Sequence, residues 1–171
     1  EAALIGKNIA PGLNRSFASQ KWPIIDKSIW KEEKRIALQA IDQDINLKIY
    51  ASDIDAEAIE LAKENAFEAG VDDCIEFSVC DFKDVKIKED YGVIISNPPY
   101  GERISGKKEV ENLYRHLGKT FENYPTWSKY FLTSIEEFEK LYGKKASKKR
   151  KLYNGNIKVD YYQFFGLKPP R

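Results

Sequence analysis

Apolar positions recur along this chain in two different periods. Ile59, Ala62, Ala66 and Ala69 return every three or four residues, which is one buried stripe of a helix. Ile75, Phe77 and Val79 alternate with polar neighbours, which is the period of a strand. "YGVIISN" (residues 91–97) does neither. It is a short, nearly continuous apolar run and predicts a strand buried on both faces, as in a parallel sheet.

The same reading orders the rest of the chain. Glu1–Lys7 reads as the end of a helix stopped near "APG". Residues 11–25 read as an ordered loop or short helix, with Phe17 and Trp22 as core anchors. Asp26 or Ser28 caps a helix to about Gln43, whose apolar face is Ile29, Ile36, Leu38, Ala40 and Ile41. Leu47–Asp53 is a strand. Asp55 then caps a helix that Gly70 stops. "CIEFSVCD" is a strand, and after residues 91–97 a helix runs from about Glu109 to Asn123. "SKYFLTS" is a strand and "IEEFEKLYG" a short helix. Two β-like runs about Asn154-Gly155 close the chain as a hairpin. Strands that alternate with helices predict an α/β fold with a mostly parallel sheet, and the hairpin adds an antiparallel edge.

Composition narrows the class. With 171 residues, 42% hydrophobic and 32% charged, the chain suits one domain with a real core and not a disordered segment. No apolar run approaches the roughly 20 residues needed to span a bilayer, and no signal-peptide pattern opens the chain, so no membrane partner and a cytoplasmic location are expected. Two cysteines, Cys74 and Cys80, and one histidine, His116, cannot build a zinc site, so no metal is expected. The cysteines read as small apolar residues and His116 as a solvated helix residue. A formal net charge of +1 is too small for a domain that grips nucleic acid by its phosphates alone. The sequence has no methionine and opens inside a helical pattern, which is expected of a chain that starts within a larger protein.

Ligands of open α/β sheets bind beyond the carboxyl ends of the strands. Three strands deliver polar residues there: Asp53 in "YASDID", Asp81 in "SVCDF" and Asn97 in "ISNPPY". An acid at Asp53 can accept from both hydroxyls of a ribose, while Asp55 is better placed as a helix cap. Asp81 can accept from an exocyclic amine, with the Phe82 backbone N–H offered to a ring nitrogen. In Pro98-Pro99 two backbone donors are missing, so the carbonyls there can face a ligand without competition. Asn97 offers a side-chain carbonyl, the Pro98 carbonyl is a second acceptor, and Tyr100 offers a stacking face. Two acceptors and an aromatic ring make a receptor for a planar –NH₂. Holding both its hydrogens draws the nitrogen lone pair toward an electrophile, by positioning and preorganised electrostatics. The plain alternative is a Pro-Pro turn after a strand.

At these residues the sequence resembles a known family. "SNPPYGER" looks like motif IV of the class I S-adenosylmethionine-dependent amino-methyltransferases. The "GER" resembles a narrower group, the THUMP-domain RNA guanine-N2 methyltransferases that modify large-subunit ribosomal RNA. "EAALIGKNIAPGLNR", "WPIID", "SDIDAEAIELAKENA", "TWSKYFLTS" and "EEFEKLYGKKASKKRKLYNGNIKVDYYQF" resemble family segments in the family's order. The resemblance implies a Rossmann-like class I methyltransferase sheet and S-adenosylmethionine as cofactor. It implies that Asp53 binds the cofactor ribose with Ile54 beside the adenine, and that Asp81 and Phe82 read the adenine edge. Asn97, shared with the cofactor site, acts with Pro98 and Tyr100 on the target guanine, and Pro99 lines the substrate side. The family's first strand with its glycine-rich loop and its N-terminal THUMP domain have no counterpart here, so residues 1–171 are expected to be a single, N-terminally truncated catalytic domain. The absent strand would lie between the strands ending at Asp53 and Asn97.

Arg103, Lys107 and Lys108 follow the NPPY turn and are candidates for contact with RNA backbone. "KKASKKRK" (residues 144–151) fits either a phosphate-contacting patch or a solvated strand edge. Two other readings stand beside guanine-N2 methylation of RNA. The same receptor serves adenine N6 of DNA or the side-chain amide of glutamine, since each presents a planar –NH₂. Without a glycine-rich loop, the chain could also be a non-catalytic fragment that binds RNA or a partner.

Overall fold

A computed structural model describes residues 1–99 and 106–170. The chain divides into two compact units, Glu1–Asp81 and Phe82–Arg171. Among the described residues no helix is long and apolar enough to cross a membrane.

The first unit contains helices α1 (Ala2–Gly6), α2 (Lys27–Gln39) and α3 (Ala56–Glu68) and strands β1 (Ile49–Asp53) and β2 (Ile75–Val79). The strands pair in parallel with Ile49 opposite Ile75 and Asp53 opposite Val79. A parallel pair needs a crossover, and α3 supplies it. Asp26 and Asp55 cap α2 and α3 by accepting from the backbone N–H groups of Ser28 and Glu57, at 2.8 and 2.9 Å. At the far end of α3, Gly70 takes the left-handed conformation at φ +67° that stops a helix. A small core of Ala3, Ala66 and Val71 packs against Leu4, Leu47, Ile49 and Phe77.

Two expectations about this unit need correction. Trp22 is 55% exposed and is not a core anchor, whereas Phe17 stacks on Trp30 at 5.7 Å. Helix α2 buries no residue, and Ile29, Ile36 and Leu38 on its apolar face are exposed.

The second unit contains β3 (Val93–Ser96), α4 (Lys107–Glu122), β4 (Ser128–Thr133), α5 (Phe138–Tyr142), β5 (Lys148–Asn154) and β6 (Ile157–Phe164). Its sheet order is β3-β4-β6-β5. β3 and β4 are parallel, and β6 pairs antiparallel with β4 and β5. Val110, Tyr114, Leu117 and Phe121 lie on one stripe of α4 and are buried with Phe131, Tyr162 and Phe164 of the sheet and Phe138, Leu141 and Tyr142 of α5. α4 approaches α5 closely at Gly118, where a Cβ would meet the Tyr142 carbonyl oxygen.

β3 is not buried on both faces. Ile94 packs against this core, but Val93 and Ile95 are 55% and 73% exposed. Among the described residues β3 pairs only with β4, and β1 only with β2, so each keeps one open edge. In the hairpin, Asn154 pairs with Ile157, so the two-residue loop is Gly155-Asn156 and not Asn154-Gly155. Gly155 alone has positive φ there, +58°, which is the glycine-first type II′ arrangement.

Tyr162 is fully buried, and its hydroxyl has no hydrogen-bond partner among the described residues. Burial, with the Asp160 carboxylate next in effect, pushes its phenol up to about 12, and burial alone does the same for Tyr142. An unfolded tyrosine titrates near about 10. The folded state therefore resists tyrosinate: these groups contribute fully below pH about 10 and lose that contribution as pH rises toward about 12. Tyr162→Phe removes an unsatisfied polar atom at almost constant volume. It is expected to raise stability by about 1 kcal/mol at neutral pH and to flatten the alkaline loss, measured by urea unfolding across that range.

Candidate active site

Parallel pairing sets out the acids. Asp53 is the last residue of β1, and its Oδ1 accepts from the Asp55 backbone N–H at 3.0 Å. This local turn fixes the carboxylate at the strand end. Its Oδ2 has no partner among the described residues, and the side chain is exposed. Ile54 beside it is 73% exposed. The Cys80 backbone N–H donates to the Asp53 carbonyl at 2.8 Å, which carries the ladder one step past β2. Asp81 is thereby delivered to the same carboxyl end as Asp53. Phe82 opens a 3₁₀ turn, Phe82–Asp84, and its ring lies 6.4 Å from that of Phe121 in the second unit's core. His116 is exposed, and its Nδ1 lies 2.7 Å from the Asn112 carbonyl one turn back on α4, as expected of a helix-surface residue.

In the second unit, Asn97, Pro98 and Pro99 follow the carboxyl end of β3. Asn97 is exposed, and its amide makes no hydrogen bond among the described residues; neither does the Pro98 carbonyl. Pro98 is buried, which fixes the turn on the fold. The Pro99 carbonyl is occupied: it accepts from the Tyr114 hydroxyl at 3.3 Å. That hydroxyl lies 2.7 Å from Thr133 Oγ1, which accepts in turn from the Ile135 backbone N–H at 3.2 Å. Tyr114 and Thr133 are both fully buried. A buried relay thus runs from the end of β4 through α4 to the Asn97 turn, with Thr133 donating to Tyr114 and Tyr114 to Pro99.

Tyr114 and Thr133 are absent from the sequence-derived site. The signal available was a tyrosine in a stripe that is otherwise apolar, since a buried phenol needs a partner. Of the other candidates, Lys108 is exposed on the first turn of α4. Tyr100 and Arg103 lie outside the described residues, as does the side chain of Lys107.

Comparison with known proteins gives the family of the chain. The family model described as RMKL-like, methyltransferase domain (UPF0020) matches residues 1–163. The chain belongs to this family. Among its relatives, YpsC of Bacillus subtilis, named as a proposed RNA methyltransferase, is 50% identical over all 171 residues. The ribosomal RNA large subunit methyltransferase K/L of Shewanella baltica is 38% identical over 94% of the chain. The chain spans 44% of the length of YpsC and 23% of the Shewanella protein. Two solved structures extend the likeness to coordinates. SMU.472, proposed to be a methyltransferase and crystallised with SAH, superposes with a TM-score of 0.94 at 45% identity, over 99% of this chain and 45% of that one. A Listeria monocytogenes protein, described as a predicted N6-adenine-specific DNA methylase, superposes with a TM-score of 0.88 at 48% identity, over 97% of this chain and 43% of that one. The RMKL-like domain is thus an α/β methyltransferase fold with a mixture of parallel and antiparallel strands, as the order of elements predicts.

Proposed function

We propose that this RMKL-like domain carries out S-adenosylmethionine-dependent methylation of the exocyclic N2 amine of a guanine in RNA, with large-subunit ribosomal RNA as substrate. One observation carries the chemistry: at the end of β3, the Asn97 amide oxygen and the Pro98 carbonyl are both unoccupied acceptors among the described residues, next to a Pro99 carbonyl that Tyr114 ties down. The relatives named as RNA methyltransferases support RNA over other acceptors.

The cofactor fits the residues present. The free Oδ2 of Asp53 suits a ribose hydroxyl, and the exposed Ile54 side chain suits the apolar face of an adenine. Asp81, at the same strand end, suits an adenine amine, and Phe82 offers its backbone beside it. When bound, S-adenosylmethionine supplies an electrophilic methyl group. The protein's part is to hold the nucleophile. Asn97 and Pro98 accept the two N–H bonds of the planar amine, Tyr100 stacks on the base, and the nitrogen lone pair is left facing outward. The amine's extra proton leaves to water after transfer, so no strong base is required. A base paired in a helix must first be exposed. In this reading residues 1–171 act as a catalytic domain, a THUMP domain belongs to the same protein, Arg103, Lys107 and Lys108 contact RNA backbone, and the protein works in the cytoplasm.

A second reading keeps the site and changes the acceptor to adenine N6 of DNA, which the likeness to the Listeria protein favours. Purified full-length protein with labelled S-adenosylmethionine, offered unmodified large-subunit rRNA and genomic DNA, separates the two. N2-methylguanosine in the RNA digest is the expected product. Label in N6-methyladenine of the DNA alone would replace the first reading with the second.

The relay predicts a positioning role for Tyr114. Tyr114→Phe frees the Pro99 carbonyl and leaves the Thr133 O–H without its acceptor, while Thr133 Oγ1 still accepts from the Ile135 backbone N–H. Turnover is expected to fall about tenfold with cofactor affinity unchanged, for about 1–2 kcal/mol of stability lost. Equal turnover in Tyr114→Phe and wild type would leave Tyr114 a packing residue only.

A further inference from the structure

From Lys140 to Val159 the chain carries eight Lys or Arg and no Asp or Glu. The whole chain is +1, so everything else holds 20 Lys or Arg against 27 Asp or Glu. The positive charge is collected in one place. Four of the eight, Lys148–Lys151, lie on β5, the edge strand of the second unit's sheet; among the described residues it pairs only with β6, and all seven of its residues are exposed.

Successive strand residues project to opposite faces, so Lys148 and Arg150 stand on one side of the edge and Lys149 and Lys151 on the other. Lys149 is answered: its Nζ lies 3.5 Å from Asp160 and 5.2 Å from the centre of the Tyr162 ring. Lys158 across the hairpin lies 3.3 Å from Glu136. Lys148, Arg150 and Lys151 have no ion-pair partner among the described residues. The strand continues into Tyr153, 67% exposed, and the hairpin returns through Ile157, 54% exposed.

Protection against edge-to-edge pairing explains a lysine or two on such a strand. It does not explain four consecutive cations, three of them unanswered, followed by an exposed tyrosine. Same-face cations about 6.6 Å apart repel one another, and a polyanion relieves that repulsion while releasing its own counterions. An aromatic ring at the end of a basic track is the arrangement that stacks an unpaired base.

We propose that the β5 edge, Lys148–Lys151 with Tyr153, is a docking ridge for the phosphate backbone of unpaired RNA, distinct from the Asn97 turn. This rests on the RNA reading of the site and adds a surface that holds the substrate outside the reacting base. It also reconciles a near-neutral chain with a nucleic-acid partner, because the charge is concentrated and not spread.

The test compares the full-length protein with its Lys148→Gln/Arg150→Gln/Lys151→Gln variant in binding a labelled transcript of large-subunit rRNA, over salt from about 50 to 300 mM. Loss of three phosphate contacts is expected to lower the slope of log K against log salt by about 2, with affinity at least tenfold weaker near 0.1 M. The charge-keeping variant Lys148→Arg/Arg150→Lys/Lys151→Arg is expected to retain the wild-type slope, which separates lost charge from a disturbed strand. Tyr153→Ala is expected to weaken binding by about tenfold at every salt concentration without changing the slope. An unchanged slope in the glutamine variant overturns the ridge, as does a variant that keeps RNA and instead loses an acidic protein partner. Methyl incorporation is read in the same samples. A wild-type protein that methylates RNA while the glutamine variant keeps its slope sinks the ridge and leaves the proposed activity. A slope that falls without any RNA methylation by wild type sinks the activity and leaves the ridge.

Discussion

Asn97→Ala is expected to reduce methyl transfer by about 10²- to 10³-fold, the usual cost of removing one preorganised group at a reacting centre. The side chain is exposed and makes no hydrogen bond among the described residues, so its removal takes little from the fold, within about 0.5 kcal/mol. The loss should therefore fall on turnover. Cofactor affinity, carried mainly by Asp53 in this account, is expected to change by less than about tenfold. Single-turnover rates and SAH titration on the same preparation check both parts. Asn97→Asp keeps an acceptor oxygen and is expected to recover part of the rate. A rate that falls only in step with SAH affinity would leave Asn97 its role in the cofactor site alone and the amine without its first acceptor.

Phe138→Ala is expected to have the largest effect on stability, about 3–5 kcal/mol. Phe138 is fully buried, and its ring contacts those of Tyr114, Phe131, Tyr142, Tyr162 and Phe164 at 4.8–6.3 Å. Its contact with Tyr114 is edge-to-face at 87°, the favourable arrangement for two rings. Truncation leaves a cavity at the junction of α4, α5, β4 and β6, where neighbouring rings are already fixed by one another. Many domains have only about 5–15 kcal/mol in total, so the second unit loses a large share of its margin. The thermal transition should fall by more than about 10 °C, and Phe138→Leu should recover much of it. A loss below about 1 kcal/mol would mean that the ring cluster does not hold this unit together.

Much of this fold could be read from short-range pattern. The Ile59–Ala69 stripe, the Asp55 cap and the Gly70 stop together specify α3, and all three lie within one local segment. The hairpin was legible for the same reason, although pairing moved its loop by one residue, to Gly155-Asn156. Burial was less legible, because it depends on what covers an element. "VIIS" has the composition of a strand covered on both sides, yet Val93 and Ile95 are exposed among the described residues. Trp22 has the size of a core anchor and lies at the surface.

The candidate site divides along the same line. The positions of Asp53 at the end of β1, and of Asp81 and Asn97 just beyond β2 and β3, were legible because the sequence marks those strands. The Thr133–Tyr114–Pro99 relay was not, since it joins residues 19 and 15 positions apart through tertiary packing. The β5 ridge was half legible. Its charge is plain in the sequence, but it takes the sheet order, in which β5 pairs with β6 alone among the described residues, to show that it lies on an open edge.

The most direct test of the central claim is nucleoside mass spectrometry on cells whose own gene carries Asn97→Ala, compared with cells carrying the intact gene. Loss of one N2-methylguanosine from large-subunit rRNA, with DNA unchanged, is the predicted result. Unchanged rRNA, with or without a loss of N6-methyladenine from DNA, would contradict it.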